Sequence, residues 1–250
     1  MNLFDRFEDP RRRTLIQALA AGLFSVGLPV GDWGKFGNAH AQTFGSRPTK
    51  LPPNQSIYRL SGSASVNDTP ANLQTQIHVG DTVETGKDSL LVFVVGTQSM
   101  LLRSECRLVI EGEKKEAASM LVTGCRLIAG KMLSASRDTK MVVTTTTASI
   151  GIRGTGWYAE SDPEQTYFCT CYGTTDVAAI HDPQNRETVT AKRHDRPLYI
   201  LGKSAGAKAI RNAPFINHTD QELALIEALV GRTPPFIFPK DDYSGPRRDY

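Results

Sequence analysis

From Ile57 onward, short runs of Val, Ile, Leu and Thr alternate with turn signals at Gly62, Asn67-Asp68, Gly80-Asp81, Gly86, Gly96, Gly112, Gly124 and Gly130. Apolar runs this short and this regularly punctuated predict an all-β domain of many short strands. Leu90 to Val95 is apolar at every position, the mark of a strand covered on both faces, and is predicted at the centre of the core. Met141 to Thr147 is half-polar and β-branched, which suits a strand with one face near solvent.

The C-terminal part changes period. Asn217-His218 lead into Thr219-Asp220-Gln221-Glu222, a capping box in which the Thr hydroxyl and the Glu carboxylate satisfy each other's backbone amides. Leu223, Leu225, Ile226, Leu229 and Val230 follow at helical spacing, with Gly231 as the stop and Pro234-Pro235 beyond it. The pattern predicts a helix over about residues 220–230 whose apolar stripe packs as a cap on the open end of a stacked β-domain. The resulting organisation is a linker over 42–56, a β domain over 57–180, a C-terminal extension over 181–238 and a polar, loose tail over 239–250.

Upstream of the linker, Arg11-Arg12-Arg13 precede Thr14-Leu15-Ile16-Gln17 and a weakly apolar run from Ala18 to Pro29. This is the layout of a twin-arginine export signal over residues 1–41, with Arg12 and Arg13 as its recognition pair. Ala39-His40-Ala41 supplies small side chains at the positions a signal peptidase reads, placing cleavage between Ala41 and Gln42. An uncleaved inner-membrane anchor is the other reading. Gly22, Gly27, Pro29, Gly31 and Asp32 hold the run near the lower limit of about 17 residues for a spanning helix. The expected location is the periplasm.

The mature chain, about two hundred residues, is enough for one compact domain and an appendage. The full chain's 29 Lys and Arg nearly balance its 26 Asp and Glu and are scattered rather than striped, so nucleic-acid binding has no support. No nucleophile elbow, paired-carboxylate pattern, phosphate loop or dinucleotide fingerprint is present. A non-enzymatic protein is expected.

The 4 cysteines fall into two pairs. Cys106 to Gly112 and Cys125 to Gly130 read as one strand written twice, as rungs of a stacked architecture. Equivalent residues on adjacent parallel strands lie about 4.8 Å apart, within the Cα range of about 4.4–6.8 Å that a disulfide accepts. A Cys106–Cys125 bridge and two buried thiols are both open readings. Cys169 and Cys171, in Tyr167-Phe168-Cys169-Thr170-Cys171-Tyr172, share one strand face with Tyr167, while Phe168, Thr170 and Tyr172 point the other way. A disulfide within so short a loop is strained, which favours a shared soft metal ion (zinc, copper or iron) or a reactive dithiol. Two thiolates leave a tetrahedral ion under-coordinated, and His181, His194 and His218 are the imidazoles available to complete it, with His194 and His218 the preferred pair. Against this stands a buried Cys pair without cofactor, with His218 merely neighbouring the helix cap.

Two motifs carry a resemblance to a known family. Thr145 to Trp157 reads T-T-T-A-S-I-G-I-R-G-T-G-W and resembles the T-P-T-A-V-A-G-V-R-G-T-E-F signature of the FecR family, with Thr146 in place of Pro and Gly156 in place of the acidic residue. Upstream, Val79 to Leu102 resembles the family's G-D-x-I-x-T-G-xx-S-xx-x-L-x-F-x-D-G-S-x-xx-L core, lacking only the Asp before Ser, where Thr97-Gln98 stand instead. The resemblance covers roughly Ile57 to Ile180 and implies a β-solenoid-like periplasmic domain with Gly151, Arg153, Gly154, Thr155 and Trp157 as its signature residues. Arg153 between two glycines has two readings, a lock on a strand corner and a ligand-binding group. FecR-type regulators pass a signal from an outer-membrane receptor to a sigma factor. Here 13 residues precede the apolar segment, too few for the cytoplasmic region that holds a sigma factor, so sigma-factor contact is not expected. The implied function is an exported module that binds a periplasmic or outer-membrane protein or a small ligand. The alternative is a metal or redox protein built on Cys169 and Cys171.

Overall fold

The computed structural model describes residues 48–114, 120–202 and 208–236. The export signal with Arg12 and Arg13, the Ala41–Gln42 cleavage site and the C-terminal tail lie outside the described residues. Among the described residues there are thirteen strands and one helix. They are β1 (Ile57–Ser61), β2 (Ala64–Val66), β3 (Thr69–Pro70), β4 (Thr82–Thr85), β5 (Leu90–Val95), β6 (Gln98–Leu102) and β7 (Arg107–Lys114). β8 (Met120–Thr144), β9 (Ala148–Ser161), β10 (Gln165–Ala179), β11 (Asp182–Ala191), β12 (Leu198–Leu201), β13 (Ile210–Asn212) and α1 (Asp220–Leu229) follow. The all-β class and the helix agree with the hydrophobic pattern. The sheet runs on past Ile180 through β11, β12 and β13, whose short, half-polar runs show too little alternation to be read as strands.

One hydrogen-bonded path runs β13-β12-β10-β9-β8-β7-β4-β2-β3, with β1, β5 and β6 joined to it through β8 and β11 attached to β10. The first part of β8 pairs with β7, Met132–Ala135 pair with β6, and β9 runs alongside from Gly130 to Thr144. All of these pairings are antiparallel. That corrects the parallel-rung reading of the first cysteine pair. Cys125 lies opposite Ile110, while the Cys106 sulfur accepts from the Lys131 amide at 2.9 Å. Both are free, buried thiols, and burial pushes the Cys125 thiol up to about 12.

Strand alternation builds two apolar clusters. Leu91, Phe93 and Val95 of β5, Met100 and Leu102 of β6, Trp157 and Ala159 of β9 and Phe168 of β10 belong to the main core. The intervening Val92, Leu101, Tyr158, Tyr167 and Cys169 face the other way into a second cluster with Leu223, Ile226 and Leu229 of α1. The uninterrupted apolar run of β5 is thus explained by cover on both faces, as predicted. The helix lies on a sheet face.

The register of β10 against β9 slips on either side of Tyr172. This bulge turns Tyr172 onto the face that carries Cys169 and Cys171, where uninterrupted alternation would have put it on the opposite one. Gly156 on β9 makes room for it. A Cβ there would lie 2.6 Å from Tyr172 Cε1 and 2.9 Å from Leu223 Cδ1. Position 156 accommodates only a glycine because the helix and Tyr172 press directly on the strand.

Leu223, Ile226 and Leu229 of α1 are fully buried, each burial contributing about 1.5–3 kcal/mol. Polar ties at both ends carry part of the docking. Thr219 and Glu222 form the capping box. Arg103, on the segment after β6, donates to Asn217 O at 2.7 Å and to Glu222 Oε1 at 2.9 Å. At the other end the buried Glu227 takes the Tyr172 hydroxyl and Arg232 Nε. The Leu51 amide donates to Leu229 O at 2.9 Å, so the end of the expected linker is packed against the domain.

Candidate metal centre

Three segments meet at the N-terminus of α1. β10 presents Cys169 and Cys171, both buried. The turn between β11 and β12 presents His194, held in a left-handed conformation (φ 50) and tied to β10 by its amide, which donates to Cys171 O at 2.9 Å. Asp195 shapes this turn by accepting from the Lys192 and Arg193 amides at 2.5 and 3.2 Å. Asn217, also left-handed (φ 64), turns the chain so that His218 points inward immediately before the helix cap.

The two sulfurs, one nitrogen of His194 and one of His218 all lie within 4.8 Å of one another. Cys169 Sγ is 3.5 Å from His194 Nδ1, and His194 Nδ1 is 3.1 Å from His218 Nε2. A tetrahedral zinc with Zn–N about 2.0 Å and Zn–S about 2.3 Å has N···N edges of roughly 3.3 Å and S···N edges of roughly 3.5 Å. The observed spacings fit that figure.

The outward nitrogens decide which ring atoms face inward. His194 Nε2 lies 2.8 Å from Asp220 Oδ1 and His218 Nδ1 lies 2.7 Å from Ile216 O. Both acceptors demand a proton, so the neutral rings turn their lone pairs toward the sulfurs and toward each other. A carboxylate on one ligand histidine and a carbonyl on the other are the partners that metal-bound imidazoles use. Asp220 is itself fixed by Arg193, whose Nε and Nη2 donate to Oδ2 at 2.9 and 2.5 Å.

The surroundings are apolar and aromatic. Tyr158 stacks on His218 with centroids 4.3 Å apart, and Phe215 and Phe236 flank His194. Burial alone would raise the Cys169 thiol, but hydrogen bonds from Cys171, His194 and His218 outweigh it and hold its pKa well below the ordinary thiol value. Cys171 is driven the other way by burial and by the neighbouring Cys169 sulfur. Burial opposes charge on His194, yet Asp220 and Cys169 raise it to about 9. Asp220 resists burial through His194 and Arg193 and stays below the usual carboxylate range.

Sulfur, imidazole and carboxylate in the order Cys169, His194, Asp220 also make the constellation of a thiol nucleophile with its base and orienting acid. Cys169 is 0% exposed, however, and a nucleophile has to meet its substrate. The four convergent donors fit a closed metal site better, and they are the cysteine pair and the preferred histidine pair named from the sequence. His181 stands apart, exposed in the turn between β10 and β11. Asp220, the carboxylate that orients His194, appears in the sequence only as part of the capping-box segment Thr219-Asp220-Gln221-Glu222. Its signal there is its place at the first helical position, one residue beyond the capping threonine.

The FecR-like signature residues lie on β9. Arg153 is half exposed and pairs with the Asp176 carboxylate on β10, which also accepts from Thr188 Oγ1 at 2.7 Å. Gly154 is left-handed (φ 63) where β8 and β10 both lose register. Thr155 and Trp157 are buried, with Trp157 stacked on Phe168 at 6.0 Å. None of the five joins the cysteine and histidine cluster.

Comparison with protein-family models and with curated proteins finds no match. Among solved structures, two crystal structures of a "putative anti-sigma factor from Parabacteroides distasonis ATCC 8503", at 1.65 and 2.50 Å resolution, are distantly similar. Each has 8% sequence identity and a TM-score of 0.42 over 58% of this chain. This chain spans 64% of the length of those structures.

Proposed function

We propose that this protein is an exported, FecR-like β module that binds a zinc ion through Cys169, Cys171, His194 and His218. The reading rests on one observation, the convergence of two sulfurs and two inward-turned imidazole nitrogens with both outer nitrogens hydrogen-bonded. Two thiolates neutralise a divalent ion, and a buried S2N2 donor set favours zinc over harder cations. The motifs at Val79–Leu102 and Thr145–Trp157 support the FecR-like part of the proposal, and the arginine pair at Arg12-Arg13 supports export. In this reading the module serves recognition of a periplasmic or outer-membrane partner rather than catalysis, with the ion as a structural element.

Metal analysis of protein purified without chelator tests it. About one zinc per chain is expected, falling to background in Cys169→Ser. Metal-free parent protein overturns the proposal.

A further inference from the structure

Asp220 belongs to two structures at once. Its backbone opens α1 directly after the Thr219 cap, and its carboxylate fixes the outer nitrogen of His194 at 2.8 Å. Arg193, adjacent to that histidine in the chain, grips the other carboxylate oxygen through Nε and Nη2. His218 stands on the other side of the cap, two residues before Asp220. The start of the helix therefore supplies one ligand of the proposed centre and the orienting group of another, while β10 and the β11–β12 turn supply the rest.

We infer that Asp220 is a positioning residue that makes zinc binding and docking of α1 a single event, the ion acting as a clasp across the helix N-terminus. The inference rests on the zinc reading above. With the ion in place, His194 and His218 are bound to one atom and the first turn cannot lift from β10 without breaking a metal–ligand bond. Without it, His194 Nδ1 and His218 Nε2 are joined by no more than a hydrogen bond at 3.1 Å, and the N-terminal turn is held by the capping box, the Arg103 contacts and the Asp220 contacts to Arg193 and His194. The C-terminal end, held by Tyr172, Glu227 and Arg232, is not part of the clasp, so loosening should begin at Asp220 and decay toward Leu229.

The test uses the full chain, with zinc alone as the added ligand, and reads affinity by chelator competition and amide hydrogen exchange over Asp220–Leu229. Asp220→Ala is expected to weaken zinc binding by about 10- to 100-fold, the usual loss when the partner of a ligand histidine is removed. Asp220→Asn keeps an oxygen acceptor for His194 Nε2 and is expected to recover most of that loss. Exchange in the first turn should be faster in zinc-free parent than in zinc-loaded parent, and Cys169→Ser should match the zinc-free parent. Equal protection in zinc-loaded and zinc-free parent overturns the clasp while leaving the zinc reading intact. Parent affinity in Asp220→Ala overturns the positioning role, and a parent that takes up no zinc overturns both.

Discussion

His194 Nδ1 and His218 Nε2 lie 3.1 Å apart, with the far nitrogen of each ring committed to an acceptor, Asp220 or Ile216 O. Two lone pairs at that distance repel unless a cation or a shared proton stands between them. His218→Ala should therefore abolish stoichiometric zinc. His181→Ala, which alters an exposed turn, should leave it unchanged. Atomic absorption on the two purified variants checks the pair, and equal loss in both would mean that the histidines act through folding.

The proton balance gives the pH dependence. His194, raised to about 9, is protonated in the zinc-free protein near neutrality, and Cys171, raised well above the ordinary thiol value, also holds its proton there. Zinc displaces both. Apparent affinity should then fall as pH falls from 9 toward 6, by more than about tenfold per pH unit because more than one proton is released. Competition titrations with a chelator of known proton affinity measure the slope.

Gly156→Ala tests the close approach of α1 to β9. The added methyl meets Tyr172 Cε1 and Leu223 Cδ1 inside contact distance, a small-to-large change that costs about 1–3 kcal/mol. A lower midpoint in denaturant is expected, together with weaker zinc binding because Leu223 sits one turn from Asp220. Unchanged stability would mean that the helix can shift outward without strain.

Arg153→Ala should be nearly silent. The Arg153 and Asp176 side chains are 51% and 46% exposed, and exposed pairs of this kind contribute about 0.2–1 kcal/mol. Thr188 and Arg153 hold the Asp176 carboxyl below its ordinary value. The small stabilisation is therefore present above the unfolded carboxylate pKa and lost as pH falls through the lower, folded one. Thermal melts at pH 7 and pH 3 should show a slight difference between parent and variant only at the higher pH.

Strand alternation placed Cys169 and Cys171 on one face with Tyr167, and the capping box located the helix to within a residue, since both depend on neighbours in the chain. The choice of His194 and His218 over His181 was not legible to that degree, because it is made by the β11–β12 turn and by contacts spanning 24 and 25 residues. The side taken by Tyr172 depends on a bulge whose mark in the sequence is a single glycine, Gly173, left-handed at φ 87. Cys106 and Cys125 mislead for a related reason: two similar strand segments look alike whether their neighbours run parallel or antiparallel, and only the register separates a bridge from two distant thiols.

The 25-residue strand β8 shapes how the chain reaches its folded state. Its first part is paired as soon as β7 precedes it, but Gly130 to Thr144 needs β9, which comes later in the chain. A nascent chain halted at Thr144 would thus leave the β9-facing edge of residues 130–144 unpaired, a template open to any other copy. Emergence of β9 is the point at which this polypeptide trades self-association for a closed fold, and conditions that slow synthesis between those two strands should favour inclusion bodies.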